Sequence, residues 1–555
     1  MRKFAVILLL SITSILTSCG QSSLNDVSGF VPNKGISTPI HKENVGNITF
    51  TSSNTPLEEY EESDFLSSFE INESSDLRFT AFLGNSLTNY LHQLDTTLTV
   101  DELVKKGNYQ FSFYVDGKLL YKENLNLKAG ILSEKNENTI LDKPLLSSTN
   151  VHSWGRFLWM RFYYRNGGED ALDNGTHLFK IEIRPYLKNN GLIVGDLIAQ
   201  GEIHLKIGAP KVREKQLAIQ PIQPNSGWEV SDARYDKEKI RELNEKIAQK
   251  RFKNITSIVV IKEGKLLIEE YFNGANRNTL HDTRSVGKSF ASTLTGIAIA
   301  DGHLKNTNQT LNEFYDLTRF ANYSSKKDSV TIHSLLTMSS GFDGSDNNYD
   351  SPGNEEKMYP TNNWVKFALN LSMDNTKEIG KNWDYFTAGV VVLGDIIDKS
   401  VPGGLEKYAE KKLFMPLGIS NYKWEYTPQD VANTAGGLEM NSLDFAKYGQ
   451  LYANDGIWNG KQVLPSDWVR KTMTNYFVDS PDQTAYGLLF WNQKYSVYDK
   501  TYEAFLCSGN GGNKIIVLND LPLVIVVTAT AYGQFYMHSQ VDKMIQKYIL
   551  PAVLE

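Results

Sequence analysis

Cysteine is nearly absent from this chain. Cys19 and Cys507 are the two in 555 residues, so no disulfide framework holds the fold together. The nine histidines are scattered and never form His-Glu-x-x-His, which removes the usual signature of a zinc peptidase. Neither a Gly-x-Ser-x-Gly elbow nor a phosphate-binding Gly-x-x-x-x-Gly-Lys-Ser/Thr occurs, so neither α/β-hydrolase nor P-loop chemistry has its text here. An excess of basic residues is also missing. The 57 Lys and Arg are outnumbered by 64 Asp and Glu, leaving a net charge of -7 and no electrostatic reason to expect nucleic acid. No metal or cofactor is implied by any of these patterns.

One apolar run is present, and it is short. Met1-Arg2-Lys3 precedes Phe4 to Leu10 and a Ser/Thr-containing stretch, the layout of an export signal too short to span a bilayer permanently. Leu16-Thr17-Ser18-Cys19 looks like a bacterial lipobox, in which Cys19 is lipidated and becomes the mature N-terminus. The expectation is an exported protein of the bacterial cell envelope, joined to a membrane by that lipid.

A chain of this length suggests two domains plus tails. Residues 1–18 read as the signal and 19–44, rich in Ser, Asn, Gly and Pro, as a flexible tether. Residues 45–208 read as an all-β, sandwich-like domain of short strands with turn signals. Phe111 to Val115, Asp116-Gly117 and Lys118 to Lys122 make the clearest hairpin. Phe179 to Leu187, Asn190-Gly191 and Leu192 to Ala199 make a looser one. The aromatic run Trp154, Phe157, Trp159, Phe162, Tyr163, Tyr164 reads as core of this sandwich, with a sugar platform as the alternative. Residues 209–235, with Pro221 and Pro224, read as a linker.

From 236 to 555 the pattern changes. A helix is expected near Lys237 to Arg251, then a hairpin through Glu263-Gly264, and at the far end a second hairpin around Asn519-Asp520 and a closing helix from Gln540 to Leu550. Strands at both ends of a helix-rich middle imply one antiparallel sheet assembled from the two termini. The polar stretch Phe342 to Trp364 reads as a solvated loop, since its acidic spacing is not that of a calcium-binding loop.

Ser285-Val286-Gly287-Lys288 opens an apolar helix running to Ile299. Residues three apart share a helix face, so Lys288 reaches back over the Ser285 hydroxyl, and the helix N-terminus favours developing negative charge there. Ser-x-x-Lys also occurs at Ser324/Lys327 and Ser420/Lys423, so the spacing alone decides nothing. What distinguishes Ser285 is order: Leu335 to Gly341, Tyr385-Phe386-Thr387, Asp444 to Leu451 and Cys507-Ser508-Gly509 follow it.

In that order these segments resemble the β-lactamase-related serine hydrolases: class C β-lactamases, D-alanyl-D-alanine carboxypeptidases, some esterases and 6-aminohexanoate-oligomer hydrolases. Gly436-Gly437-Leu438 through Gly460-Lys461 adds to the likeness. The resemblance implies an α+β catalytic domain of the β-lactamase/penicillin-binding-protein type after the sandwich. It implies that Ser285 is acylated, with Lys288 and Tyr385 handling the proton. Thr387, Cys507, Ser508, Gly509 and Asn510 would line the substrate site, and the N–H groups of Ser285 and Asn510 would form the oxyanion hole. Two positions depart from the family: Thr387 stands for an Asn, and Cys507 for the Lys that holds a substrate carboxylate. The expected substrate is therefore a small ester, amide or D-amino-acid peptide, with β-lactams less favoured. The competing reading is a non-catalytic acyl-binding or envelope scaffold that keeps the fold.

Overall fold

The computed structural model describes residues 30–554 except 53–55, 57–58, 73–74, 148–151, 480–483 and 519. The expected leader, Cys19, the first part of the tether and Asn519 of the second hairpin lie outside the described residues. The chain forms two compact units, Met1–Gly208 and Ala209–Glu555. Among the described residues no helix is long and apolar enough to cross a membrane.

The first unit contains two sheets. Ile48–Thr51, Leu77–Phe82 and Ile140–Leu146 form one. The other is built on Gly107–Val115, Lys118–Asn124, Gly175–Lys188 and Ala199–Ile207, with the short strands Ser68–Ile71 and Leu192–Val194 beside them. Their facing sides meet through aromatic pairs, Phe79 with Phe111 at 5.9 Å and Phe50 with Phe179 at 6.5 Å between ring centroids. The first hairpin turns at Asp116 (φ 49°) and Gly117 (φ 80°), the doubly positive pair that matches strand twist.

The expectation of an all-β unit needs correcting in detail, because helices pack on these sheets at Leu87–Leu94, Val100–Lys106, Leu132–Glu137 and Trp154–Met160. The aromatic run expected to be core is helical. Trp159 and Phe162 are buried, whereas Phe157 on another face is exposed. Residues 30–44 are not simply a tether either. Pro39–Asn44 is a short helix capped by Thr38, and the buried His41 bonds the Leu83 carbonyl at 2.9 Å.

The second unit begins with the stretch expected to be a linker, which is in fact bound down. Gln220 donates its side-chain amide to the Tyr271 carbonyl (2.8 Å), and Arg277 reaches the carbonyls of Gln223 (2.8 Å) and Pro224 (2.6 Å). Helix α1 (Lys237–Ala248), capped by Asp236, leads into strands β1 (Ile255–Lys262) and β2 (Lys265–Tyr271). Then come helices α2 (Val286–Ala300), α3 (Thr387–Ser400) and α4 (Ser442–Ala453). Strands β3 (Trp491–Val497), β4 (Lys500–Gly509), β5 (Asn513–Leu518) and β6 (Leu523–Ala529) precede the closing helix α5 (Met537–Met544).

The sheet order is β2-β1-β6-β5-β4-β3, extended by two short strands, and every pairing is antiparallel. Side chains alternate between two cores. Val259, Ile515, Val517 and Val524 face the helical layer with α2, while Ile258, Ile516, Leu518 and Ile525 face α1 and α5. Residues Val286 to Ala298 of α2 are all buried, so this helix is enclosed on every side, and its buried polar groups include Thr293 and Thr295, bonded to Tyr448 and the Ala291 carbonyl. Gly449 of α4 lets that helix lie against the sheet, since an added Cβ would stand 2.6 Å from Val524.

Candidate active site

The site starts at the N-terminus of α2. Arg284 adopts a left-handed backbone (φ 53°), a conformation that costs a non-glycine residue on the order of 1 kcal/mol and turns the chain sharply before Ser285. The half-buried Ser285 follows, and one turn on Lys288 is buried. Its ammonium donates to the Ser285 hydroxyl at 2.8 Å and to the Ala435 carbonyl at 2.7 Å. It also lies 5.2 Å from the centroid of the Tyr385 ring. The three sequence-predicted catalytic residues are thus gathered around one ammonium.

The other two Ser-x-x-Lys pairs are different. Lys327 is buried but donates to the carbonyls of Ala321 (3.2 Å) and Leu369 (2.8 Å), and Lys423 pairs with Glu439 at 2.7 Å. Among the described residues, only Lys288 of these three holds the serine of its own motif.

Tyr385 is fixed by backbone on both sides. The Asp384 N–H donates to the Met338 carbonyl (2.9 Å) and the Phe386 N–H to the Met338 sulfur (3.1 Å). Asp346 donates its N–H to the Tyr385 carbonyl (2.8 Å) and accepts from the Thr387 N–H (2.7 Å). The Tyr385 ring stacks on Trp491 at 5.8 Å, and Trp383 and Tyr486 complete an aromatic wall around that pair.

Strand β4 closes the site from the other side. At Gly509 an added Cβ would stand 1.9 Å from the Thr283 carbonyl oxygen and 3.1 Å from the Ser285 nitrogen. No other residue type fits against the nucleophile turn. Ser508 is half-buried and Asn510 exposed, its side-chain oxygen accepting from the Gly533 N–H at 2.8 Å.

Two expected lining residues are not at the surface of the site. Thr387 is fully enclosed at the start of α3 and has no surface to offer a substrate. Cys507 alternates onto the helical face of the sheet, where it is 1% exposed and belongs to the core with Ile515 and Val517. Burial, slightly offset by the Ser289 hydroxyl, pushes its thiol up to about 12, which leaves almost no thiolate. Among the described residues, neither of two candidate replacement cations is available. Lys514 is buried and paired with Asp542, and Lys381 is exposed and paired with Glu378. Among the described residues no group of three or more His, Cys, Asp or Glu is placed to hold a metal ion.

The β-lactamase family model matches residues 244–540, more than half of the chain, a span that includes Ser285, Lys288, Tyr385 and strand β4. The chain belongs to the β-lactamase family. This is a family of serine hydrolases. Similar solved structures include a penicillin-binding-protein homologue from Caulobacter crescentus, at 14% identity over 60% of this chain and 100% of that one (TM-score 0.45). An octameric penicillin-binding-protein homologue from Pyrococcus abyssi is 19% identical over 56% of this chain and 76% of that one (TM-score 0.43). A D-stereospecific amidohydrolase from a Streptomyces species is 16% identical over 52% and 92% (TM-score 0.42). A search of curated proteins found no match.

Much of the text this chain shares with the β-lactamase family is scaffolding. Tyr448 stacks on Phe290 of α2 at 3.8 Å and bonds the Thr293 hydroxyl at 2.7 Å, tying α4 to the helix that carries Ser285. Met338, in the Leu335 to Gly341 segment, holds the backbone beside Tyr385. Ala435, just before Gly436-Gly437, anchors Lys288. The sequence reading missed Met338, Ala435, Trp491 and Asp346 as parts of the site. Met338 carried a signal through its segment, which was part of the resemblance, and Asp346 carried one as an acid in a turn-rich stretch read as a solvated loop.

Proposed function

We propose that this member of the β-lactamase family hydrolyses a small, neutral ester or amide through an acyl-enzyme on Ser285. The observation that carries the reading is the 2.8 Å contact between the Lys288 ammonium and the Ser285 hydroxyl, beside the Tyr385 ring. In attack, with the Lys288–Tyr385 pair one proton short of full protonation, the Ser285 oxygen bonds the substrate carbonyl carbon, the C=O electron pair moves onto oxygen, and the serine proton passes to that pair. The pair returns that proton to the departing alcohol or amine. Water then attacks the acyl-enzyme, gives its proton to the same pair, and releases the acid with Ser285 restored. The N–H groups of Ser285 and Asn510 bind the oxyanion, and each such donor is worth roughly a hundred- to a thousandfold. Ser508, on the strand between them, bonds substrate or Lys288.

The reading of a neutral substrate is supported by three features: an uncharged Cys507 turned into the core, Lys514 occupied by Asp542, and the aromatic wall of Trp383, Tyr486 and Trp491. Chemistry takes place in the cell envelope, with the chain held to a membrane through Cys19. Hydrolysis of p-nitrophenyl butyrate by the intact protein and by Ser285→Ala tests the reading. A loss on the order of a thousandfold is expected, and activity retained within a few-fold removes Ser285 from the mechanism.

A further inference from the structure

The polar segment after Gly341 reaches the catalytic residues through one side chain. Asp346 is half-buried. Its Oδ2 accepts the Thr387 N–H at 2.7 Å and its Oδ1 accepts the Glu355 N–H at 2.8 Å. Its own N–H donates to the Tyr385 carbonyl at 2.8 Å. The side-chain amide of Asn354 holds this bend by donating to the carbonyls of Ser345, Asp346 and Asn348. One carboxylate therefore caps the start of α3, whose N-cap Phe386 has no side chain able to do so, and the same residue grips the backbone of Tyr385.

Its electrostatic surroundings are specific. Burial, and next the charge of Glu355, raise the Asp346 carboxyl, while Thr387 and the Lys288 ammonium favour its ionised form. Tyr359 completes the group facing Asp346. Its hydroxyl donates to Glu355 at 2.7 Å, and burial and then the charges of Glu355, Asp346 and Glu356 hold it protonated. Lys288 is the cation in this cluster, and it is the same ammonium that holds Ser285.

We propose that Asp346 is a positioning residue for the hydrolysis, fixing Tyr385 relative to Lys288 by capping the start of α3 and holding the Tyr385 carbonyl. This rests on the Ser285 acyl-enzyme reading. Asp346 does not touch the reacting atoms. Its carboxylate accepts the Thr387 and Glu355 N–H groups, which fixes the bend so that its own N–H meets the Tyr385 carbonyl. Replacing Asp346 with Asn keeps the volume and one acceptor but turns an amide NH2 toward one of those two N–H groups, and Ala removes both acceptors.

The test is the kinetics of p-nitrophenyl butyrate hydrolysis for the full chain, Asp346→Asn, Asp346→Ala and Asp346→Glu, with fluorophosphonate labelling and a melting curve of each. For Asp346→Asn and Asp346→Ala kcat should fall about tenfold or more, with KM changed less than about twofold, the pattern of a displaced catalytic group. Asp346→Glu, which keeps a carboxylate for the Thr387 N–H, should regain most of the lost rate. A folded Asp346→Ala with kcat within about twofold of the full chain overturns the proposal, and so does a loss carried by KM alone. Should Asp346→Ala not fold, Asp346→Asn decides on the same readout. A full chain that neither labels at Ser285 nor turns over the ester sinks the hydrolase reading itself. Labelled full chain beside an unaffected Asp346→Asn sinks only the role of Asp346.

Discussion

The Lys288 ammonium stands 2.8 Å from the Ser285 hydroxyl, with no residue between them and the Ala435 carbonyl as its other partner. A salt-bridged lysine would be tied to a carboxylate, yet the hydrogen bonds of this one go to a hydroxyl and a peptide oxygen. That arrangement is the one the proposed acyl-enzyme chemistry calls for, and the predictions below concern what supports it.

Gly509→Ala should damage the site directly. The new methyl group would stand 1.9 Å from the Thr283 carbonyl oxygen, so either β4 or the nucleophile turn must move. Overpacking of this kind costs about 1–3 kcal/mol, and displacing Ser285 by about 1 Å costs on the order of a hundredfold in rate. A melting curve and ester kinetics on the same preparation check both. Full activity would show that the strand does not press on the turn in solution.

Glu270 gives the catalytic unit a pH dependence. Burial, opposed by Gln220 and Asn244 and reinforced by Glu269, raises its carboxyl to about 7. The folded state therefore binds its proton more tightly than the unfolded chain does. The resulting stability is full below the unfolded value near 4.5 and is lost as pH rises from there through about 7. Urea unfolding at pH 5 and pH 8 should show the native chain losing on the order of 3 kcal/mol more than Glu270→Gln. Equal losses would contradict the assignment.

Cys507 should be chemically silent in the folded protein. In a Cys19→Ser background it is the sole thiol, and a disulfide reagent should find almost none until the chain is unfolded in guanidinium, when one equivalent reacts. The missing cation at the same position predicts poor β-lactam turnover. A charge-assisted hydrogen bond is worth roughly 1.5–3 kcal/mol, about ten- to a hundredfold, so nitrocefin should be hydrolysed far more slowly than a neutral ester. Efficient nitrocefin turnover would place an unrecognised cation in the site.

The envelope anchor is tested by metabolic labelling. Palmitate label should enter the expressed protein and be lost in Cys19→Ser. Label that persists in the variant, or never appears, excludes Cys19 as the lipid attachment site.

What the sequence made legible is what local chemistry dictates. The hairpin at Glu263-Gly264 follows from a turn that needs two positive φ angles, here 54° and 76°, and the helix after Ser285 from its apolar run. The helix at Val100–Lys106 was readable too, through the capping box of Thr99 and Glu102, but the surrounding strand signals outweighed it. Other features depend on partners distant in the chain. Gln220 belongs to the catalytic unit only because the Tyr271 carbonyl is there to bond, and no composition reveals that. Cys507 faces the core by strand alternation, which a family position cannot tell when the residue type has changed. Asp346 reads as a loop acid until the Tyr385 backbone is folded beside it.

The most direct test of the account is intact mass and peptide mapping after a fluorophosphonate probe. The account predicts one adduct per chain, on Ser285, abolished in Ser285→Ala and strongly slowed in Lys288→Met, with Lys327→Met and Lys423→Met labelled at the normal rate. No adduct on the folded native chain, or an adduct on any other serine, would contradict it.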